Sequence, residues 1–311
     1  MKKNLFLNIS FVISTCFVAR CLFFYNFSDV EIYNEWAVLL NNLSETGTLG
    51  INIVNDNLIK QDFANTGDNV LPTAFMPPLH VFYMYALKIL SLGKIELTKL
   101  IIFSQIIISC FSTLIFFKIL NSFLGNKTSI LLTYLFSLYP TNILSSLQIS
   151  SITLQLFLFL IFIFYFTNLI NFQSYKNSIL LGIFAGLSML IRGEFWFFFI
   201  LSNIYLLLIL KISWKKIFIS FLLSLIIISP YLKRNYENFN SLFLVKSFGF
   251  NLLKGNNPQS TTEGSFIKSF WTSVKYDGKI NINYEINRDD YYKSQAIDFI
   301  KSDPLRYIKL Y

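Results

Sequence analysis

The chain has 311 residues, of which 54% are hydrophobic, 18% aromatic and 14% charged, and its mean hydropathy is +0.54. A soluble domain carries roughly 25% charged residues, so this composition excludes one and predicts an all-α polytopic membrane protein. The net charge of +9 does not make nucleic acid a partner, because the basic residues fall in short loops beside apolar runs, as on the cytoplasmic side of membrane proteins.

Residues 1–24 join a basic start (Lys2, Lys3) to an apolar run with no A-x-A cleavage signal after it. This reads as an uncleaved first span that places the next loop outside. That loop, 25–78, carries Asp29, Glu31, Glu35, Glu45, Asp56, Asp62 and Asp68 against a single lysine, Lys60. It closes on Pro77 and Pro78. The stretch 79–92 is short of the about 20 residues a spanning helix needs. Its Phe82, Tyr83, Tyr85 and Lys88 suit a helix lying in the interface.

Further spans are predicted at 100–120, 129–144 (broken near Tyr139-Pro140), 152–170, 179–191, 195–210 and 217–231. With the first helix that makes about seven spans, with lysine-bearing turns on the inner side. Residues 1–232 thus form a transmembrane domain and 233–311 an external segment, with an amphipathic helix at 289–302. The chain stops at DPLRYIKLY, in what reads as a helix start, so the sequence is expected to continue into a longer C-terminal region.

Several residues could carry chemistry. Asp29 follows the first span closely, and partial desolvation at a bilayer surface makes a carboxylate a stronger base for taking a proton from a hydroxyl. Its plainer role is an N-cap, with Ser28 or Asp29 starting a helix through Trp36 and Leu40. Lys233, Arg234 and Asn235 follow the last span on the outer side, where Lys and Arg can hold an anionic group such as a lipid phosphate or simply meet lipid headgroups. Arg192 and Glu194 flank Gly193 between two spans. They are functional candidates by their depth, or partners of each other. His80, the single histidine, is a weak metal-ligand candidate. Cys16, Cys21 and Cys110 lack metal-ligand spacing and read as buried thiols. No Gly-rich phosphate loop, HExxH or GxSxG is present, so neither nucleotide chemistry nor a cofactor is predicted, and a divalent metal has no evident ligand set.

Taken together, the chain resembles the GT-C-type membrane glycosyltransferases, the bacterial relatives of protein O-mannosyltransferases and of the aminoarabinose transferase of lipid A. The likeness runs through Asp29 and Tyr33 and through Met76-Pro77-Pro78-Leu79. It continues in Gln105, Ser109 and the Gly125-Asn126-Lys127 turn, in LYPTNILSSLQIS, and in GxxxGLSMLIRGE with Gly182, Gly186, Arg192 and Glu194. SPYLKRNYENF (Pro230, Arg234, Asn235, Phe239) and NLLKGNNP (Asn251, Gly255, Asn256, Asn257, Pro258) are its most specific pieces.

The resemblance implies transfer of a sugar from a polyprenyl-phosphate carrier to a glycan, lipid or protein acceptor at the external face of the membrane, in bacteria the periplasmic face of the inner membrane. It implies Asp29 as the base, with Glu31 and Tyr33 beside it. It also implies Arg234, then Lys233 or Arg192, as holders of the phosphate leaving group, whose developing charge cations stabilise. Where relatives carry an acidic residue in a Ser-Glu-Thr-Leu-like run, this chain has Ser151-Ile152-Thr153-Leu154, which leaves no second carboxylate there. The competing readings are a transporter or flippase of lipid-linked glycans, a non-catalytic scaffold, and a glycan polymerase or ligase. A transporter would show charges within its spans and broken-helix repeats.

Overall fold

The computed structural model describes residues 2–52, 70–261, 268–274, 276, 278 and 281–310. Asp56, Lys60, Asp62 and Asp68 of the acidic loop lie outside the described residues. In chain order the helices are α1 (Lys2–Phe27), α2 (Asn34–Thr46), α3 (Leu79–Ser91), α4 (Leu97–Asn121), α5 (Asn126–Ser137), α6 (Pro140–Leu147), α7 (Ile152–Phe172), α8 (Tyr175–Ile191), α9 (Phe195–Ile204), α10 (Trp214–Phe239), α11 (Phe248–Gly255), α12 (Lys268–Ser273), α13 (Tyr284–Ser302) and α14 (Pro304–Leu310). A π-helical turn, Tyr205–Ile209, extends α9. The chain forms two compact units, 1–40 with 78–230, and 41–77 with 231–311.

The first unit is the membrane unit. Asn8–Phe27, α4, α7 and α10 are each long and apolar enough to cross a bilayer, and α5 with α6 passes as a fifth, broken span bent by 51°. The bend falls at Tyr139-Pro140. Pro140 has no N–H to donate back along α5 and sits instead at the first position of α6. The residue before it takes extended angles (φ −62°, ψ 123°), as the proline ring demands. The helices α3, α8 and α9 are apolar but shorter than a full span. Phe11, Leu22, Phe111, Phe172, Phe221 and Ile226 point outward, an arrangement suited to lipid and not to water.

Within this unit α4 packs against α1, α5, α6 and α7, and α7 lies along α8. Ile9, Val12 and Phe117 join α1 to α4, with Ile130 and Tyr134 of α5 against them. The α8 glycines make a close helix contact. A Cβ on Gly182 would stand 2.2 Å from the Ser220 carbonyl oxygen of α10, and one on Gly186 would stand 2.7 Å from Ile227. This is small-xxx-small packing, in which bare backbone lets two membrane helices approach. Asn203 of α9 accepts the Ser220 hydroxyl at 2.9 Å.

The second unit is built on a short antiparallel ladder, β1 (Gly50–Asn52) with β2 (Val70–Pro72), in which Ile51 pairs Leu71. Asn42 steadies it by donating to the Gly50 carbonyl at 2.9 Å. Leu253, Phe270, Trp271, Val274, Tyr292 and Ala296 form the core under α11, α12 and α13. A Cβ on Gly249 would fall 1.9 Å from the Asp289 carbonyl oxygen, so α11 and α13 meet backbone to backbone. The helix predicted at 289–302 starts earlier, at Tyr284, which brings Glu285 and Arg288 onto it.

Candidate functional site

In the membrane unit α1 ends at Phe27, where the Ser28 N–H still reaches the Phe24 carbonyl at 3.3 Å. Asp29 is not an N-cap, because α2 starts only at Asn34. Its backbone N–H donates to the Leu147 carbonyl at 3.1 Å, and its Oδ2 accepts the Ile149 N–H at 2.6 Å. The C-terminal carbonyl of α6 and the first free N–H of the turn after it are therefore both satisfied by one residue. The other carboxylate oxygen takes no hydrogen bond among the described residues, and Asp29 is partly exposed. Glu31 and Tyr33 are exposed beside it, near enough for both carboxylates to act on the Tyr33 phenol.

The turn that receives Asp29 is itself tied down. Gln105 of α4 donates to the Gln148 carbonyl at 3.0 Å, and the Thr153 hydroxyl donates to the Ser145 carbonyl at 2.8 Å. The run Ser151-Ile152-Thr153-Leu154, which lacks a carboxylate, starts α7 immediately afterwards.

The other end of α6 is held by a residue that hydropathy hides. Arg20, inside the first span, is 0% exposed. Its Nε donates to Ser109 Oγ at 2.9 Å, Nη1 to the Ser137 carbonyl at 2.9 Å and the Cys16 carbonyl at 3.1 Å, and Nη2 to the Asn142 carbonyl at 3.3 Å. Ser137 ends α5 and Asn142 lies in the first turn of α6, so the guanidinium bridges the break. The cation also sits at the partial negative end of α5. A lone Arg within an apolar run is a signal for a functional or structural site, and that signal could have found it.

Arg192 is exposed where α8 ends, and its Nε donates to Gln155 Oε1 of α7 at 3.1 Å. That is a link between helices, not a pair with Glu194, which is exposed at the start of α9. Pro78 is buried at the start of α3 and accepts the Phe82 N–H at 3.0 Å. His80 is 1% exposed, its ring 4.7 Å edge-on from Trp36 and 5.8 Å from Tyr83. Burial pushes its imidazole down to about 4, so it is neutral at physiological pH. Among the described residues no three His, Cys, Asp or Glu side chains gather as a metal site would.

In the second unit Arg234 is a backbone clamp. Its Nη1 donates to the Thr73 carbonyl and to Asn235 Oδ1, both at 2.8 Å, and its Nη2 to the Leu49 carbonyl. It therefore grips the residue before β1 and the residue after β2. Asn235, 0% exposed, donates in turn to the Phe243 carbonyl at 2.8 Å. Lys233 reaches Glu237 at 3.7 Å with both side chains mostly exposed, a pair worth little. Asn256 and Asn257 close α11. They donate to the Leu252 and Leu253 carbonyls at 2.9 Å, and Asn257 Oδ1 accepts the Gln259 N–H. Pro77 lies partly exposed at the end of the Thr73-Ala74-Phe75 strand exit.

Glu285 was not apparent from the sequence. It is 5% exposed, and its carboxyl accepts the Ala74 N–H at 2.8 Å and the Thr73 hydroxyl. Burial raises it above the usual carboxylate range, against the pull of those two bonds and of the Arg288 and Arg234 charges.

Chemically, Asp29 offers a fixed carboxylate with one open oxygen, as a general base requires. The second unit offers a buried, charge-bearing segment around Thr73 and Ala74. No protein-family model matches this chain, and no curated protein matches it. The chain is an α-helical membrane protein with an appended second unit.

Proposed function

We propose that this protein transfers a sugar from a polyprenyl-phosphate carrier to an acceptor at the external face of a bacterial inner membrane, as a GT-C-type glycosyltransferase. In this reading α1, α4, the broken pair α5–α6, α7, α8, α9 with its π turn, and α10 are the spans, and α3 lies in the interface. Asp29 takes the proton from the acceptor hydroxyl, and cationic side chains hold the phosphate that leaves. The observation that carries the reading is the state of Asp29. One oxygen is fixed by the Ile149 N–H, and the other has no partner among the described residues. An N-cap or a surface carboxylate would not be held in that way.

A second reading has its own support. Arg20 is a charge within a span, and α5–α6 is a broken one, both features of transporters. Against it, each bond of Arg20 ends on a backbone carbonyl or a serine of its own helix or its neighbours, which makes it a helix pin and not a carrier site. The test compares transfer of labelled sugar from a polyprenyl-phosphate pool by membranes containing wild type or Asp29→Asn. We expect the variant to lose about 10²–10⁴-fold in rate at unchanged protein level. Undiminished transfer by the variant would remove Asp29 from the mechanism.

A further inference from the structure

The three cysteines, expected to be buried alike, stand in different surroundings. Cys16 of α1 is 0% exposed, Cys110 of α4 is half-buried and Cys21 is exposed. The Cys110 thiol meets Cys16 Sγ at 3.9 Å, close to van der Waals contact for two sulfurs. Cys16 Sγ lies 3.4 Å from Thr113 Oγ1, whose own proton goes to the Ser109 carbonyl at 3.0 Å. The hydrogen bonds therefore run one way, from Cys110 to Cys16 to Thr113 to Ser109, and hold both sulfurs where α1 meets α4. Arg20 donates to the Cys16 carbonyl at 3.1 Å, and its charge acts on both sulfurs, where the negative charge of a thiolate would develop.

Both thiols sit deep. Cys16 and Cys110 lie near the middle of Asn8–Phe27 and of α4, about 12 Å or more from either end at the rise of an α-helix. That depth has no water, so water-soluble thiols and oxidants do not reach it. Molecules dissolved in lipid do. A groove of about 470 Å³ opens beside the pair, walled mainly by Ile13, Phe17, Ile107, Cys110, Phe111 and Leu114, with Phe17 and Phe111 turned outward. Its volume is that of a small-molecule site. A soft metal cation is another partner that two thiols can take, and the Arg20 charge beside them opposes it.

We propose that Cys16 and Cys110 are a redox dithiol that closes into a disulfide, stapling the first span to α4, with a lipid-soluble quinone as the oxidant. The Cys110 thiolate, on the groove wall, adds to a ring carbon of the quinone. The Cys16 sulfur then attacks the Cys110 sulfur. The S–S bond forms as the S–C bond breaks, and the electron pair of that bond returns to the ring. The two thiol protons end on the ring oxygens, so two thiols become one disulfide and the quinone leaves as quinol. The sulfurs close from 3.9 Å to a bond of about 2.05 Å, and the groove leaves the Cys110 side chain room to turn. The inference is independent of sugar transfer, since it is read from thiols and not from turnover.

The test incubates the reduced, purified chain in proteoliposomes with a short-chain ubiquinone under argon, so that the quinone is the only electron acceptor. Free thiols are then counted by alkylation after denaturation, and the cross-link is mapped by mass spectrometry. Three free thiols should fall to one, with Cys16 joined to Cys110 and one quinol formed per chain, and a membrane-permeant dithiol should restore all three. Oxidised glutathione, confined to water, should leave all three free. Cys21→Ser should keep the cross-link, and Cys110→Ser should abolish both cross-link and quinol. Three free thiols after quinone, a link through Cys21, or quinone retained on Cys110 without a cross-link would overturn the inference.

Discussion

Arg20 of α1 and Asp29 just after it both reach the same short helix, one at each end. Arg20 takes the carbonyls of Ser137 and Asn142 before and within the first turn of α6, and Asp29 takes the backbone of Leu147 and Ile149 beyond its last turn. Truncation of Arg20 orphans carbonyls in a medium without water. We expect Arg20→Ala to lower stability by roughly 3 kcal/mol, the scale of one or two bonds to a charged donor, while Arg20→Lys recovers part of it. Unfolding in mixed detergent micelles reads the difference, and an Arg20→Ala protein as stable as wild type would refute the pin.

Glu285 makes a second prediction at this scale. Its carboxyl is raised in the folded chain, so the native state holds a proton that the unfolded chain has released. Stability is therefore greatest below the unfolded value of about 4.3 and declines as pH rises through the folded value. Thermal midpoints measured upward from about pH 5 should fall for wild type and fall less for Glu285→Gln. Parallel curves for the two proteins would contradict the assignment.

At the scale of elements, the glycines of α8 are the sharpest case. A methyl group on Gly182 cannot coexist with the Ser220 carbonyl oxygen at 2.2 Å, so α8 and α10 must move apart. Gly182→Ala is expected to cost about 1–3 kcal/mol, and Gly125→Ala, whose Cβ meets nothing within 4 Å, far less. Equal stability of the two variants would mean that the close approach is absent.

Much of this level was legible in advance. Long apolar runs mark α1, α4, α7 and α10, and Tyr139-Pro140 marks the break between α5 and α6, because span length and proline chemistry act locally. Arg20 was not legible from hydropathy, since one charge in a mostly apolar window barely lowers its average. It stands out only when ionisable residues within spans are weighed one by one. The start of α13 was placed too late, at 289, and the stripe formed by Glu285, Arg288 and Tyr292 went with it. Its helical spacing was readable had the window begun at Tyr284.

At the scale of the whole molecule, sequence reading runs out for a different reason. The partners of Arg234 are backbone carbonyls 161 and 185 residues away. Thr73 and Glu285 are separated by 212. No local pattern encodes such pairs, and a carbonyl acceptor leaves no trace in residue identity. Arg234, a phosphate-holding candidate by its position after the last span, instead donates to the carbonyls flanking β1 and β2 and to Asn235. Arg288, a buried cation of the same unit, lies in a stretch that composition presents as an ordinary polar tail.

The two functional readings separate most directly in proteoliposomes loaded with labelled polyprenyl-phosphate sugar and a mixed acceptor extract. The glycosyltransferase account predicts that label leaves the lipid and appears on acceptor with wild type, and stays on the lipid with Asp29→Asn. Label that remains lipid-linked with both proteins, yet passes to the opposite leaflet, would contradict the account and make the protein a transporter.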